Sequence, residues 1–312
     1  MATGTDNLRI LSLDGGGAKG FYTLGVLREV ETMVGGPLSD HFHLIFGTST
    51  GAIIAALLAL GYKVDDIYKL YKEHVPKIMK PLLPKKKSNA LALLADTIFE
   101  KKGFTDFKTD VGIVATNYDT KIPRIFKSNF NQSYTLPQNF VPGWGCAVSD
   151  AVQASCSAYP FFKKKIIKPP NEDNFVLIDG GFCANNPTLY AIIDGLVALK
   201  TPPEKLRVLS IGVGRYRTPK RNPLHPTWYA NKYPGMKFFQ DTLEINTQSM
   251  EQLRKVLYRD LAKQIIRIDQ AFTEPEMATD LLERDPEKLN LLRRRGAACV
   301  REYEQQLNEL FA

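Results

Sequence analysis

The sequence predicts an α/β fold: a mainly parallel, doubly wound sheet with helices on both faces and a helical C-terminal extension. Three observations predict it. Short apolar runs of strand length alternate with helical patterns along the chain. Two of those runs, Leu8 to Leu13 and Phe42 to Phe46, end in glycine-rich turns that lead straight into a helical pattern. The chain is 312 residues, long enough for one large α/β domain or two small ones. No internal repeat or low-complexity tract divides it. We therefore read 1–312 as a single domain, with its core at about 8–215.

The elements follow in order. Arg9–Leu13 reads as the first strand, and a helical pattern starts near Lys19. His43–Phe46 reads as the second strand, and Ala52 to Leu60 as an apolar helix. Val64–Tyr71 and Leu91–Phe99 read as amphipathic helices. Between them, Lys77–Lys87 is expected to be a loop, because Pro76, Pro81 and Pro84 should break any helix. This insert, about 62–103, fits a lid or membrane contact over the site as well as it fits a solvated surface loop. Val111–Thr116, Phe175–Ile178, Arg207–Val213 and Gln264–Ile268 are the remaining strands. The extension, about 216–312, opens on a loop rich in Pro and His. Helices are expected from about Phe238 to Lys263 and from about Pro286 to Leu310. Leu253, Val256, Leu257 and Leu261 are spaced to pack on the sheet.

Two segments carry chemistry. The first is Ser12-Leu13-Asp14-Gly15-Gly16-Gly17-Ala18-Lys19-Gly20. Successive glycines let backbone N–H groups crowd around a negative charge, and the following helix adds its positive end. This is a cradle for an anion, either a phosphate or the oxyanion of a reaction. The nucleotide fingerprints fit it poorly. G-x-x-x-x-G-K-[ST] fails, since Phe21 and Tyr22 follow Gly20. G-x-G-x-x-G can be laid on Gly15, Gly17 and Gly20, but Asp40 precedes the next strand rather than ending it.

The second segment is Gly47-Thr48-Ser49-Thr50-Gly51, between a strand and a helix. Strand, G-x-S-x-G, helix is the nucleophile elbow: the flanking glycines permit a sharp turn that lifts the Ser49 hydroxyl to a helix N-terminus. Taken alone, the same residues also fit a hydroxyl capping a buried helix. A hydroxyl nucleophile needs a base, and His41, His43, His74 and His225 all sit in structural or surface contexts. Asp179-Gly180-Gly181 instead follows an apolar strand directly. A carboxylate there points into the crevice where α/β sites form, although an Asp that merely holds its own turn would read the same way.

With these blocks quoted, the chain resembles the patatin-like phospholipases. That family carries D-G-G-G-x-[KR]-G, G-x-S-x-G and D-G-[GA] in this order, matched by Asp14 to Gly20, Gly47 to Gly51 and Asp179 to Gly181. Ala154 to Phe162 is similar to the family's A-S-x-A-x-P-x-x-F block, with one inserted-looking residue and Tyr159 where a small one is usual. Asn185-Asn186-Pro187 resembles its N-x-P. The resemblance covers about residues 8 to 215. It implies a Ser49–Asp179 dyad that cleaves lipid acyl esters, with the N–H groups of Gly15, Gly16 and Gly17 holding the oxyanion. It implies no metal and no organic cofactor. Asp14 should order the glycine loop, and Lys19 is expected on an exposed helix surface. Triacylglycerol lipase, thioesterase or protein acylhydrolase activity with the same dyad, and a catalytically silent lipid- or nucleotide-binding module, are the competing readings.

Charge and cysteines say less. Lys+Arg 41 against Asp+Glu 33 gives a net charge of +8. Arg215 to Arg221, Lys85 to Lys87 and Lys163 to Lys165 concentrate part of it. Such a surface suits anionic lipid. No zinc-finger spacing or RNA-binding signature is present, so a DNA or RNA polymer is not an expected partner. Cys146, Cys156, Cys183 and Cys299 form no metal-ligand or C-x-x-C pattern. The short polar N-terminus does not read as a signal peptide, and Ala52 to Leu60 is too short to span a bilayer. The expectation is a cytoplasmic protein in peripheral contact with the inner membrane surface. Short bacterial patatin-like enzymes include antiphage effectors switched on by a cyclic oligonucleotide. The resemblance to them implies an anionic activator, bound by Arg215, Arg217, Lys220 and Arg221 with the Lys77–Lys87 region, and an activation-linked homo-oligomer.

Overall fold

The computed structural model describes residues 7–132, 141–169, 173–216 and 234–312. Among these, eight strands form one sheet: β1 (Leu8–Leu13), β2 (Leu44–Thr48), β3 (Asp110–Asn117), β4 (Pro123–Lys127), β5 (Lys165–Ile167), β6 (Phe175–Asp179), β7 (Leu206–Ile211) and, after a two-residue strand β8 (Arg215–Tyr216), β9 (Ile265–Ile268). The order is β5-β6-β3-β2-β1-β7-β9, with β4 also pairing on β3. The run β3-β2-β1-β7-β9 is parallel throughout. β4, β6 and β5 join it antiparallel. A separate small pair sets β8 beside β10 (Ala271–Phe272).

The parallel centre is buried on both faces, which is why its strands read as unbroken apolar runs. Side chains alternate across it. Leu11, Leu13 and Ile45 enter one core; Ile10, Leu44 and Phe46 enter the other. α1 (Gly20–Val34) and α2 (Thr50–Ala59) cover the first face. Every residue of α2 except Ile53 is buried.

Further along lie α3 (Val64–Met79), α4 (Pro84–Phe99), α5 (Val148–Ser155), α6 (Gly181–Ala184), α7 (Thr188–Ile193), α8 (Pro234–Leu257), α9 (Pro286–Cys299) and α10 (Glu304–Phe311). Ala191 and Ile192 of α7 pack in the second core. α9 lies tightly against α1: a Cβ on Gly296 would overlap the carbonyl oxygen of Tyr22, and one on Gly25 that of Arg293. Among the described residues no helix is long and apolar enough to cross a membrane.

The alternation of strands and helices held, and so did the strand positions, but several expectations need correction. Lys77–Lys87 is not a loop. Pro76 sits inside the last turn of α3, and Pro84 opens α4 at a position whose N–H would have no partner anyway. Only Lys80 to Leu83 connect the two helices. The long C-terminal helices are shorter than their apolar spacing suggested: α8 stops at Leu257, and a 3-10 turn, Val300–Tyr303, separates α9 from α10. The face of α8 is also different. Leu253, Val256 and Leu257 are exposed, and α8 buries Phe239, Leu243, Thr247, Glu251 and Arg254 instead. The last two can be buried because they pair at 2.6 Å. β4 and β5 were not anticipated. One starts with a proline and the other has three residues, so neither carries a period.

Candidate active site

Ser49 stands between β2 and α2, with φ 53 and ψ −121. A non-glycine residue seldom adopts this left-handed conformation, and its cost must be met by surrounding packing. The flanking glycines make the turn sterically possible. A Cβ on Gly47 would strike the carbonyl of Gly51, and a Cβ on Gly51 would strike those of Leu13 and Asp14. β1, β2 and the start of α2 therefore close on one another only because both positions lack side chains. Ser155, at the end of α5, secures the turn. Its hydroxyl accepts from the Ser49 N–H at 2.8 Å and donates to the Val114 carbonyl at 2.5 Å.

Asp179 ends β6. Register brings it to the elbow, because β3 pairs Val114 with Thr48 on one side and Ala115 with Asp179 on the other. The Ser49 hydroxyl donates to Asp179 Oδ2 at 2.7 Å. The Gly181 N–H donates to Oδ1 at 2.7 Å. Thr116 Oγ1 donates to the Asp179 carbonyl at 2.9 Å and so holds the strand end in place. Asp179 is buried, and burial pushes its carboxyl up to about 7, while the Gly181 N–H and the Ser49 hydroxyl pull it back. Gly180 lies against the Val114 carbonyl, leaving no space for a side chain.

The glycine loop follows β1. The Gly15 N–H is already committed, donating to the Asn185 carbonyl at 2.9 Å. This corrects the expectation that all three glycines offer donors: the N–H groups of Gly16 and Gly17 remain without an acceptor among the described residues. Asn185 clamps the loop a second time, since its amide donates to the Gly15 carbonyl at 3.2 Å and to Thr247 at 2.7 Å. Asp14 orders the loop from below through a two-point pair with Arg267 of β9, at 2.8 and 2.5 Å. Burial pushes Asp14 up to about 6, although Arg267 acts in the other direction. Gly20 starts α1 against Thr50, which packs the loop onto the elbow helix.

Lys19 departs from its expectation. It is buried, and its ammonium donates to the Gly214 carbonyl at 3.3 Å. Burial lowers its pKa. Ahead of α1 the chain makes a 3-10 turn, which carries Lys19 inward rather than onto the helix surface. Arg215 is half-buried and pairs with Asp269 at 2.8 Å. Arg217, Lys220 and Arg221, together with the Pro- and His-rich loop, lie outside the described residues. The cysteines are free thiols, with Cys146, Cys156 and Cys299 buried and Cys183 half-buried. His43 accepts from the Arg9 N–H at 3.1 Å, a structural contact.

Ser49, Asp179, Gly16 and Gly17 line one cleft. The rest of its lining is almost wholly apolar: Ile53 and Leu57 from α2, Val75 and Ile78 from α3, Leu91 and Leu94 from α4, and Phe161, Phe239 and Leu281 beyond. His74, Tyr71 and Cys156 are the ionisable side chains in the lining besides Asp179. A hydroxyl hydrogen-bonded to a buried carboxylate, beside unoccupied N–H donors, can attack a carbonyl carbon. A long apolar cleft accommodates a chain of methylenes.

Sequence reasoning missed the Ser155 bridge, the Arg267 support of Asp14 and the Thr247 contact to Asn185. Ser155 lay in a quoted block but carried no role, and the other two sit far along the chain with no local pattern.

Residues 11–192 match the patatin-like phospholipase family. The chain is 53% identical over 307 residues to a cUMP-AMP-activated phospholipase of Escherichia coli, covering 98% of this chain and 95% of that one. It is 30% identical over 222 residues to a cGAMP-activated phospholipase of Pseudomonas aeruginosa, covering 67% and 63% of the two. A cGAMP-activated phospholipase of Vibrio cholerae is 25% identical over 311 residues, covering 88% and 85%. Among solved structures, VipD from Legionella pneumophila aligns with a TM-score of 0.50 at 16% identity, over 97% of this chain and 67% of that one. That likeness concerns the fold alone.

Proposed function

The chain belongs to the patatin-like phospholipase family, and from that membership we propose that it cleaves fatty-acyl esters of membrane phospholipids through a Ser49–Asp179 dyad switched on by a cyclic dinucleotide. The observation that carries the reading is the 2.7 Å hydrogen bond from Ser49 to Asp179 at the wall of a long apolar cleft.

The chemistry runs in two halves. Ser49 Oγ attacks the acyl carbonyl carbon while Asp179 Oδ2 accepts its proton. The carbonyl oxygen becomes an oxyanion, held by the N–H groups of Gly16 and Gly17. Collapse of this intermediate breaks the ester C–O bond, and Asp179 returns the proton to the departing alcohol oxygen. Water then attacks the acyl-serine, giving its proton to Asp179. Fatty acid leaves, and the proton returns to Ser49. A carboxyl near 7 suits both duties, because the group must gain and lose a proton in each cycle at neutral pH. The strained elbow keeps Ser49 in place without reorganisation at each turnover.

Activation is the second part of the proposal. The relatives at 53% and 30% identity are named for activation by cUMP-AMP and cGAMP, and a purine-containing cyclic dinucleotide is the activator class we assign. Its phosphates call for cations, and the basic segment Arg215 to Arg221 offers them. Within it, Arg215 is oriented by Asp269. An enzyme of this kind, silent until a nucleotide signal arrives, fits a role in antiphage defence at the cytoplasmic membrane surface.

The test is fatty-acid release from phospholipid vesicles, with wild type and Ser49→Ala, each with and without cUMP-AMP. Release from wild type only, and only with the nucleotide, is expected. Equal release without nucleotide would remove the switch and leave the hydrolase. No release with any cyclic dinucleotide would move the reading to a thioesterase or a binding module.

A further inference from the structure

We propose that the turn between α3 and α4 is the element that docks this protein on an anionic lipid surface and sets the mouth of the cleft against the bilayer. The proposal rests on the phospholipase reading for its substrate, but its own evidence is separate.

Leu82 and Leu83 form the tip of the turn and are 74% and 58% exposed. Neither lines the cleft. Two adjacent leucines held out in water by a four-residue turn gain nothing from the fold, whereas insertion at a lipid interface would bury both. Leu93 of α4 is also exposed, at 71%.

Charge points to the same occupant. Lys80, Lys85 and Lys86 are exposed around the tip and make no ion pair among the described residues. Lys163 is exposed beside them, its N–H donating to Ser88 of α4 at 2.8 Å. The first turn of α4 holds lysines and no acidic residue, opposite to what the helix dipole favours. An arrangement that opposes local stability is explained if an anionic surface meets it. A ring of cations around an apolar tip complements phosphate head groups outside and acyl chains within.

The inner faces of the same two helices complete the argument. Ile78 and Met79, immediately before the tip, line the cleft, as do Leu91 and Leu94 of α4. An acyl chain leaving the bilayer at the tip therefore meets an apolar path toward Ser49. Lys87, in contrast to its neighbours, is buried and lies 5.9 Å from the Phe162 ring, which anchors the start of α4.

The test measures partition of the full chain, as Ser49→Ala with cUMP-AMP, onto vesicles of phosphatidylcholine with and without phosphatidylglycerol. The Ser49→Ala chain is expected on the anionic vesicles. Leu82→Ser with Leu83→Ser should lower that partition by about tenfold or more. Lys85→Gln with Lys86→Gln should lower it by about thirtyfold at low salt, from about fivefold per lysine. In chains that keep Ser49, the leucine double variant should still hydrolyse a monomeric short-chain ester at the wild-type rate while losing vesicle hydrolysis. Undiminished vesicle partition in the leucine variant overturns the proposal. Should that variant also lose the soluble ester, Leu82→Trp decides: its emission should shift to the blue on anionic vesicles, and no shift overturns the proposal. If no ester is hydrolysed even by wild type, the hydrolase reading fails, while partition still judges the docking surface.

Discussion

Asp179 is an ordinary carboxylate buried at the wall of the cleft. Burial pushes its carboxyl up to about 7, well above the usual carboxylate range. Two opposite consequences follow. A protonated Asp179 cannot accept the Ser49 proton, so kcat/KM should fall as pH drops through about 7. A flat rate profile across neutrality would contradict this. Stability runs the other way. Ionising Asp179 is harder in the fold than in the unfolded chain, so its contribution is fully present below the unfolded value and is lost as pH rises through about 7. The difference corresponds to roughly 4 kcal/mol. Asp179→Asn should therefore melt higher than wild type above pH 7, while turnover falls by about a thousandfold or more. Asparagine can keep both contacts, accepting from the Gly181 N–H and donating to Ser49. A variant that is inactive but also destabilised above pH 7 would show that the charge is not what burial opposes.

At the scale of elements, β1, β2 and α2 meet through backbone at Gly47 and Gly51. Gly51→Ala would press a methyl group into the carbonyls of Leu13 and Asp14, and neither strand end can yield. The expected loss is about 3 kcal/mol or more, read from the denaturant midpoint. A variant within a few tenths of wild type would mean that the elbow is looser than described. These packing constraints explain what was legible in the sequence. Gly47, Ser49 and Gly51 announce themselves because a strained turn imposes its residue types locally. Asp179 was legible for a similar reason, as a polar residue ending an apolar strand ahead of two glycines. Pro84 misled because proline is tolerated in the first turn of a helix, and sequence alone does not locate that turn; Pro76 lies inside α3 near its end, where it removes a backbone hydrogen bond without stopping the helix. The α8 face misled because its buried stripe contains the Glu251–Arg254 pair, which reads as surface until the pairing is seen. Gly15 looked equivalent to Gly16 and Gly17, and only the Asn185 carbonyl distinguishes it.

At the scale of the whole molecule, the family match ends at residue 192, but the site does not. Arg267 holds Asp14, the Leu281 carbonyl accepts from Ala18 at 2.9 Å, and Thr247 steadies Asn185. The C-terminal region is thus part of the scaffold of the proposed active site. Arg267→Ala would strand a buried carboxylate beneath the glycine loop. It should cost about 3–5 kcal/mol and lower activity, whereas an exposed change such as Arg301→Ala should cost next to nothing. Equal stability of the two variants would contradict the buried support. The central claim remains that Ser49 is the acylated nucleophile. Its most direct test is reaction of the cUMP-AMP-treated protein with a fluorophosphonate, followed by peptide mass spectrometry. The account predicts one adduct, on the peptide bearing Ser49, absent in Ser49→Ala and appearing in step with loss of fatty-acid release. Fatty-acid release that persists in Ser49→Ala, or after complete labelling of Ser49, would contradict it.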